Sequence, residues 1–317
     1  TSTVTVAFLK EAPFVTKEES MAIRLFKDKN CKDESRVAVS DSRDLKGLIA
    51  DKPSSLRIDD EDETILLFKN DDWHGGALYI RGPATVTDLG SEKEGGRMGF
   101  GNSIRSVRVT PFQVDLNVTV VKDGKDNLPG DWKTQPQAKE DIHKMVDAAN
   151  IFLADKRALL QLAIARITFR NSNNLFAISK LEQIVLPSEW TEKGELDVVF
   201  THRFTKEGTI GRAFFPCWGE SVVVAKRVNS VVGADISLTL DEMAAVMMHE
   251  IGHHFGLGHG TANTEKNLMF ASLEQDSLSE MWLLSDQIRE MHDRLANNIS
   301  RQGERKDPRP GVANPTP

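Results

Sequence analysis

The sequence reads as a multidomain protein: an N-terminal antiparallel β-sandwich followed by an α/β domain. Three features lead there: strand-like segments that recur within the first third, a change of texture after Thr110-Pro111, and alternation of helical and strand patterns beyond it. The 317 residues fit two domains, since a domain averages roughly 150 residues. Hydrophobic residues make up 39% and charged residues 27%, ordinary values for a globular chain and far from a disordered one. The formal charge of −7 does not advertise nucleic acid or an anionic membrane as a partner. No apolar run approaches the roughly 18 residues of a membrane span. The chain opens on Thr1 and not on Met, so a leader or tag is expected to have been removed ahead of it, and secretion is the expected location.

The repeat comes first. Ile23-Arg24-Leu25-Phe26-Lys27-Asp28 is echoed by Ile65-Leu66-Leu67-Phe68-Lys69-Asn70, and Ser54-Ser55-Leu56-Arg57-Ile58 by Arg105-Ser106-Val107-Arg108-Val109. Each unit therefore opens on a short strand and closes on an alternating one. Turn-rich sequence such as Asp71 to Gly76 and Glu94 to Arg97 lies between. Two similar antiparallel halves make a small sandwich over 1–112. From 113 to 300 the pattern is α/β. Leu116 to Val121 reads as a strand, and Ile142, Val146, Ala149 and Leu153 put an amphipathic helix over roughly 138–155. Ala165, Ile167 and Phe169 alternate, and Asp197 to Thr201 and Ser221 to Val228 are further strands. Thr239-Leu240-Asp241-Glu242 has the form of a capping box ahead of an apolar run. A last helix carries Leu284, Ile288, Met291, Leu295 and Ile299 on one stripe, with Ser285 as its expected cap. Four prolines in the seventeen residues from Arg301 predict a disordered tail over 301–317.

Four of the eight histidines lie within His249-Glu250-Ile251-Gly252-His253-His254-Phe255-Gly256-Leu257-Gly258-His259. On a helix, His249 and His253 are one turn apart on one face, the placement two imidazoles need to share a zinc ion. Glu250 is next to that face, where a carboxylate reaches water at the metal without ligating it. Gly256 ends the helix at positive φ, and the turn delivers His259 as a third ligand. Three protein nitrogens leave a fourth position open, the mark of a catalytic zinc site. Five fixed positions over roughly 300 starting points give about 10⁻⁴ chance matches, so coincidence is a poor explanation.

This segment resembles the signature of the metzincin zinc peptidases, HExxHxxGxxH. The resemblance spans roughly 113–300 and implies a methionine turn beneath the metal, for which Met269 in Asn267-Leu268-Met269-Phe270 is the candidate. The short spacer and the lack of nearby cysteines look more like the matrixin branch than the reprolysin branch. Phe270 stands where some metzincins carry tyrosine, and the only tyrosine, Tyr79, lies in the other domain, so no tyrosine is expected at the metal. The resemblance implies a zinc-dependent endopeptidase acting on proteins or peptides through metal-activated water, with Glu250 as general base. It also implies an edge strand that pairs with extended substrate, either Gly211 to Phe215 or Ser221 to Val224.

The first domain resembles the βγ-crystallin fold of two Greek keys. Many such domains bind Ca2+ through a short acidic and hydroxyl string. The two counterparts, Ala50 to Ser55 and Gly101 to Ser106, are each imperfect, and Arg105 is a poor neighbour for a divalent ion. A structural module is the simpler reading. Asp123 to Asn127 fails the calcium-loop spacing and reads as a turn. His254 points about 100° away from its neighbour His253 and reads as a packed or solvated helix residue. His74, His143, His202 and His292 have no motif around them. Cys31 and Cys217 are read as unpaired, with a disulfide or a zinc-bound Cys31 as the other arrangements. The module is expected to serve targeting or stability without inhibiting, and the fragment 113–317 to work alone. The rival reading is a binding or structural protein built on the crystallin-like module, its zinc domain inactive or merely metal-stabilised; intact Glu250 argues against it. Substrate, cleavage preference and oligomeric state are not encoded in any motif.

Overall fold

Short, mostly buried strands build the N-terminal module: β1 (Ile23–Phe26), β2 (Ser55–Ile58), β3 (Thr64–Phe68), β4 (Ala77–Arg81), β5 (Ala84–Val86) and β6 (Ser106–Arg108). The computed structural model describes residues 23–32, 41, 45, 53–61, 63–73, 76–90, 104–179, 186, 190, 195–205, 209, 211–213, 221–229, 235–259, 266–270 and 277–304. The strands form two antiparallel sheets, ordered β1-β2-β5 and β4-β3-β6. The strands expected to open and close each repeat are thus β1 and β2, then β3 and β6. Strand β5 belongs by sequence to the second repeat but pairs with β2 of the first. Ser55 and Ser106 are equivalent in the repeat and do equivalent work. The Ser55 hydroxyl donates to the Asp28 carbonyl (2.5 Å) and accepts from the Cys31 N–H. The Ser106 hydroxyl donates to the Asn70 carbonyl (2.6 Å) and accepts from the Trp73 N–H. Each serine staples a turn to its closing strand.

The run Ile65-Leu66-Leu67-Phe68 does not alternate because both faces of β3 are buried. Ile65 and Leu67 meet Leu25, Leu56 and Ile58 between the two sheets. Leu66 and Phe68 face the other way and join the core of the second domain, together with Ala77 and Tyr79.

That second domain contains β7 (Phe112–Lys122), α1 (Gln135–Asp155), β8 (Leu160–Asn171), α2 (Asn173–Phe176), β9 (Ala177–Ile178), β10 (Leu196–Phe204), β11 (Gly211–Ala213), β12 (Ser221–Asn229), β13 (Asp235–Ser237), α3 (Leu240–His254) and α4 (Ser285–Glu304). Its sheet runs β11-β12-β10-β7-β8; β7, β8, β10 and β12 are parallel, whereas β11 is antiparallel to β12. Helix α1 is the crossover from β7 to β8. Thr134 caps it by accepting from the Gln137 N–H, Pro136 sits in its first turn, and Ala138, Ile142, Met145, Ala149 and Phe152 form its buried stripe. Val114, Leu116, Val118 and Val120 of β7 meet that stripe, while Val121 faces a second small core with Val199, Val223 and Leu175. Among the described residues no helix is long and apolar enough to cross a membrane.

Three expectations need correction. Ser285 is the first residue inside α4 and not its cap. The Leu284 carbonyl accepts the first helical bond, from the Ile288 N–H, and the Leu284 N–H donates to Gln287 Oε1, so Leu284 holds the cap position. The helix also runs to Glu304, four residues into the stretch expected to lack structure; 305–317 lie outside the described residues. The third concerns separability, since the two domains share one core. Phe112 packs edge-on against Phe68 and Trp73, with the Arg108 guanidinium 3.7 Å over its ring. The Tyr79 hydroxyl donates to the Arg157 carbonyl (2.9 Å), and the Ala77 N–H to the Asp293 carboxylate of α4 (2.5 Å). His292 is fully buried at this junction, its Nε2–H donating to the Ala158 carbonyl (2.6 Å). An autonomous 113–317 fragment is not what this packing favours.

Candidate metal centre

Helix α3 begins where its capping box requires: Thr239 Oγ1 accepts from the Glu242 N–H, and Glu242 Oε2 accepts from the Thr239 N–H (2.7 Å). From Met243 to Gly252 every residue is buried, which makes this an interior helix able to hold its side chains rigidly. The chain turns out of it at Gly256, whose φ of +93° only glycine takes at no steric cost. Past that turn His259 comes back to the helix face.

The three predicted ligands converge. His259 Nε2 lies 3.1 Å from His249 Nε2 and 2.8 Å from His253 Nε2. The spacing is near the about 3.3 Å between nitrogens that share a tetrahedral zinc at ordinary bond lengths. His249 Nδ1 donates to the Leu268 carbonyl (2.6 Å), and His253 Nδ1 donates to the Leu257 carbonyl (2.7 Å). A carbonyl only accepts, so both rings are held as the Nδ1–H tautomer with the Nε2 lone pair bare. The two bare lone pairs point at the His259 Nε2, and a single cation among the three nitrogens would satisfy all of them at once. The donor set therefore fits zinc. Burial, first among the causes, pushes the His249 pKa down to about 4, keeping the ring neutral as a ligand must be. Among the described residues these three histidines are the one grouping of His, Cys, Asp or Glu that could hold a metal ion.

Glu250 is 7% exposed, beside the histidine face. Against it lies Gly211, the first residue of β11; a Cβ there would fall 2.5 Å from Glu250 Oε1 and 2.7 Å from Val246 Cγ1. Strand β11 is an edge strand of its sheet, and β12 lies inside between β10 and β11. Of the two candidate edges it is thus Gly211 to Ala213 that runs past the carboxylate; Phe214 and Phe215 lie outside the described residues. Met269 is fully buried and packs its sulfur against α3 at Gly252, in the turn closed by the Phe270 N–H to the Asn267 carbonyl (2.9 Å).

The other singled-out residues do not reach this site. His254 is buried with its ring edge-on to Phe255, and His202 accepts from the Gly130 N–H while stacking on Phe176. His143 is exposed on α1. Cys31 is a free thiol whose Sγ donates to the Leu56 carbonyl (3.5 Å) inside the module. Cys217, Trp218, His74 and the calcium-string positions Asp51, Asn102 and Ser103 lie outside the described residues. Asp123 is an ordinary turn acceptor for the Lys125 and Asn127 N–H groups.

Residues 139–260 match the family model described as metallo-peptidase family M12B, reprolysin-like. That segment is thus similar to reprolysin-like metallopeptidases, which at family level supports a zinc-dependent peptidase. The match takes in all three histidines and Glu250 and ends one residue after His259. It lends no support to the matrixin-like subtype. No curated protein matches the chain. Among solved structures the chain is similar to a βγ-crystallin from Ciona intestinalis, 21% identical, over 28% of this chain and 98% of that one, with a TM-score of 0.23. It is also similar to a βγ-crystallin domain from Flavobacterium johnsoniae, 22% identical, over 28% of this chain and 92% of that one, with a TM-score of 0.23.

Proposed function

We propose that the protein is a metzincin-type zinc endopeptidase with a crystallin-like N-terminal module, in which His249, His253 and His259 hold the metal and Glu250 is the general base. The convergence of three imidazole Nε2 atoms, two of them held bare by their Nδ1 partners, beside a buried carboxylate carries this reading. Zinc, when bound there, supplies Lewis acidity toward the scissile carbonyl and acidifies water at its open position. The chain's own residues do the rest. Glu250 accepts the proton of the attacking water and returns it to the departing amine nitrogen. Its place on the buried interior helix α3 holds the carboxylate beside the histidine face. Strand β11 offers its outer main-chain groups to an extended peptide, so backbone hydrogen bonds place the scissile bond beside Glu250.

The test joins metal content to turnover on a peptide library. Wild type should hold one zinc per chain and cleave. Glu250→Ala should hold zinc equally and lose at least about 100-fold in kcat, the lower range for a general base. His259→Ala should lose zinc on dialysis against a chelator. Near-wild-type turnover in Glu250→Ala, or full zinc retention in His259→Ala, would remove the assignment.

A further inference from the structure

We propose that Asn267 and Gln287 are positioning residues for the metal centre, acting on His249 through a single peptide plane; this rests on the zinc reading of the site. Both are buried, at 0% and 5% exposure. Asn267 Nδ2 donates to Gln287 Oε1 (2.9 Å), and Gln287 Nε2 donates to Asn267 Oδ1 (3.1 Å). Two further main-chain donors complete the pair: the Leu284 N–H to Gln287 Oε1 (2.9 Å) and the Met269 N–H to Asn267 Oδ1 (2.9 Å).

Burying two amides costs free energy unless they are satisfied in this way, and two apolar side chains would fill the space without that demand. What the amides add is polarity with a direction. The Leu284 N–H requires an acceptor, so Gln287 presents Oε1 to it and Nε2 to Asn267. Asn267 must then present Oδ1 to both Gln287 and the Met269 N–H; flipping either amide would set donor against donor. The Met269 N–H and the Leu268 carbonyl belong to one planar peptide unit, pointing in opposite directions. Fixing that N–H aims the carbonyl, and the carbonyl is what accepts from His249 Nδ1 (2.6 Å). The other side of Leu268 is fixed as well, its N–H donating to the Trp282 carbonyl (3.0 Å). The orientation and tautomer of a buried ligand are thus set from the first turn of α4, 38 residues along the chain.

The experiment measures zinc Kd by chelator competition, with the visible spectrum of the cobalt(II) form as a second readout, on Asn267→Ala, Gln287→Leu and the double variant. Each single variant should weaken zinc by about 10- to 100-fold, the range for outer partners of metal ligands. The double variant should be no more than about threefold worse than either single one, because the pair acts as one unit. The cobalt spectrum should change with them. A purely structural role would instead lower the melting temperature of the metal-free protein and leave zinc Kd and the cobalt spectrum unmoved. Single variants within about twofold of wild type in Kd would therefore overturn the inference. If Gln287→Leu does not fold, Gln287→Glu keeps the acceptor and loses the donor to Asn267; it should still weaken zinc at least threefold, and an unchanged Kd would overturn the inference equally. A wild type whose zinc binding ignores His259→Ala would overturn the underlying site as well, whereas intact His259 dependence with unaffected amide variants would overturn only the positioning role.

Discussion

Cutting the chain at the domain boundary should cost the second domain much of its stability. A fragment 113–317 loses Phe112, which is buried in the shared core against Phe68, Trp73 and the Arg108 guanidinium. Removing a buried phenylalanine costs about 3–5 kcal/mol. The fragment also loses the Tyr79 hydroxyl bond to the Arg157 carbonyl and the Ala77 N–H bond to Asp293, each worth about 1 kcal/mol. The sum, about 5–7 kcal/mol, is comparable with the 5–15 kcal/mol that holds an ordinary domain folded. The assay is urea denaturation of the fragment and the full chain, followed by circular dichroism, beside kcat/KM on a short peptide. The fragment should unfold at a markedly lower urea midpoint and lose activity in step with its unfolded fraction. In the full chain Tyr79→Phe, which removes only the hydrogen bond to the Arg157 carbonyl, should cost about 1 kcal/mol. An equal urea midpoint for fragment and full chain would refute the shared-core argument. A tenfold gain in kcat/KM on removing the module would show instead that the module inhibits.

The remaining expectations concern single residues. Gly211→Ala places a methyl 2.5 Å from Glu250 Oε1, so β11 or the carboxylate must shift by about 1 Å, a displacement that costs on the order of 100-fold in rate. Zinc content should not change, and a kcat/KM within threefold of wild type would separate Gly211 from the working site. His292 has its pKa pushed down to about 4, first by burial, against an ordinary 6.5. Between those values the unfolded chain takes a proton that the folded one refuses, so stability falls as pH drops from 6.5 to 4 and is unaffected above 6.5. The loss by pH 4.5 is about 2–3 kcal/mol from this group. His292→Gln should show a shallower acid-side fall in urea midpoint; an unchanged slope would mean that His292 titrates elsewhere.

The parts of this molecule that could be read from sequence are those fixed by local spacing. The two histidines one turn apart, the glycine that ends the helix and the Thr239–Glu242 box are each determined within a few residues, and each is found as expected. The repeat was visible because its strands carry the same residues in the same order, Ser55 and Ser106 included. What escaped depends on partners far apart in the chain. Nothing around Gly211 announces that Glu250 will lie against it. Asn267 and Gln287 resemble any polar residues until a helix cap and a turn meet. The doubly buried run Ile65 to Phe68 hinted at a second packing face, but not at whose core it would complete.

The exchange of β5 between the two halves of the module bears on the order in which the chain can be assembled. Strand β2 is complete by Ile58, yet the partner on its outer side, Ala84 to Val86, is made some 25 residues later, after β3 and β4. During synthesis one side of β2 stays unpaired until the second repeat has largely emerged, and unpaired strand groups invite pairing with other chains. Duplicated sequence here does not mean duplicated folding units. The two repeats should gain and lose their main-chain protection together, and a nascent chain halted between Ile58 and Ala84 should be the form most in need of a chaperone.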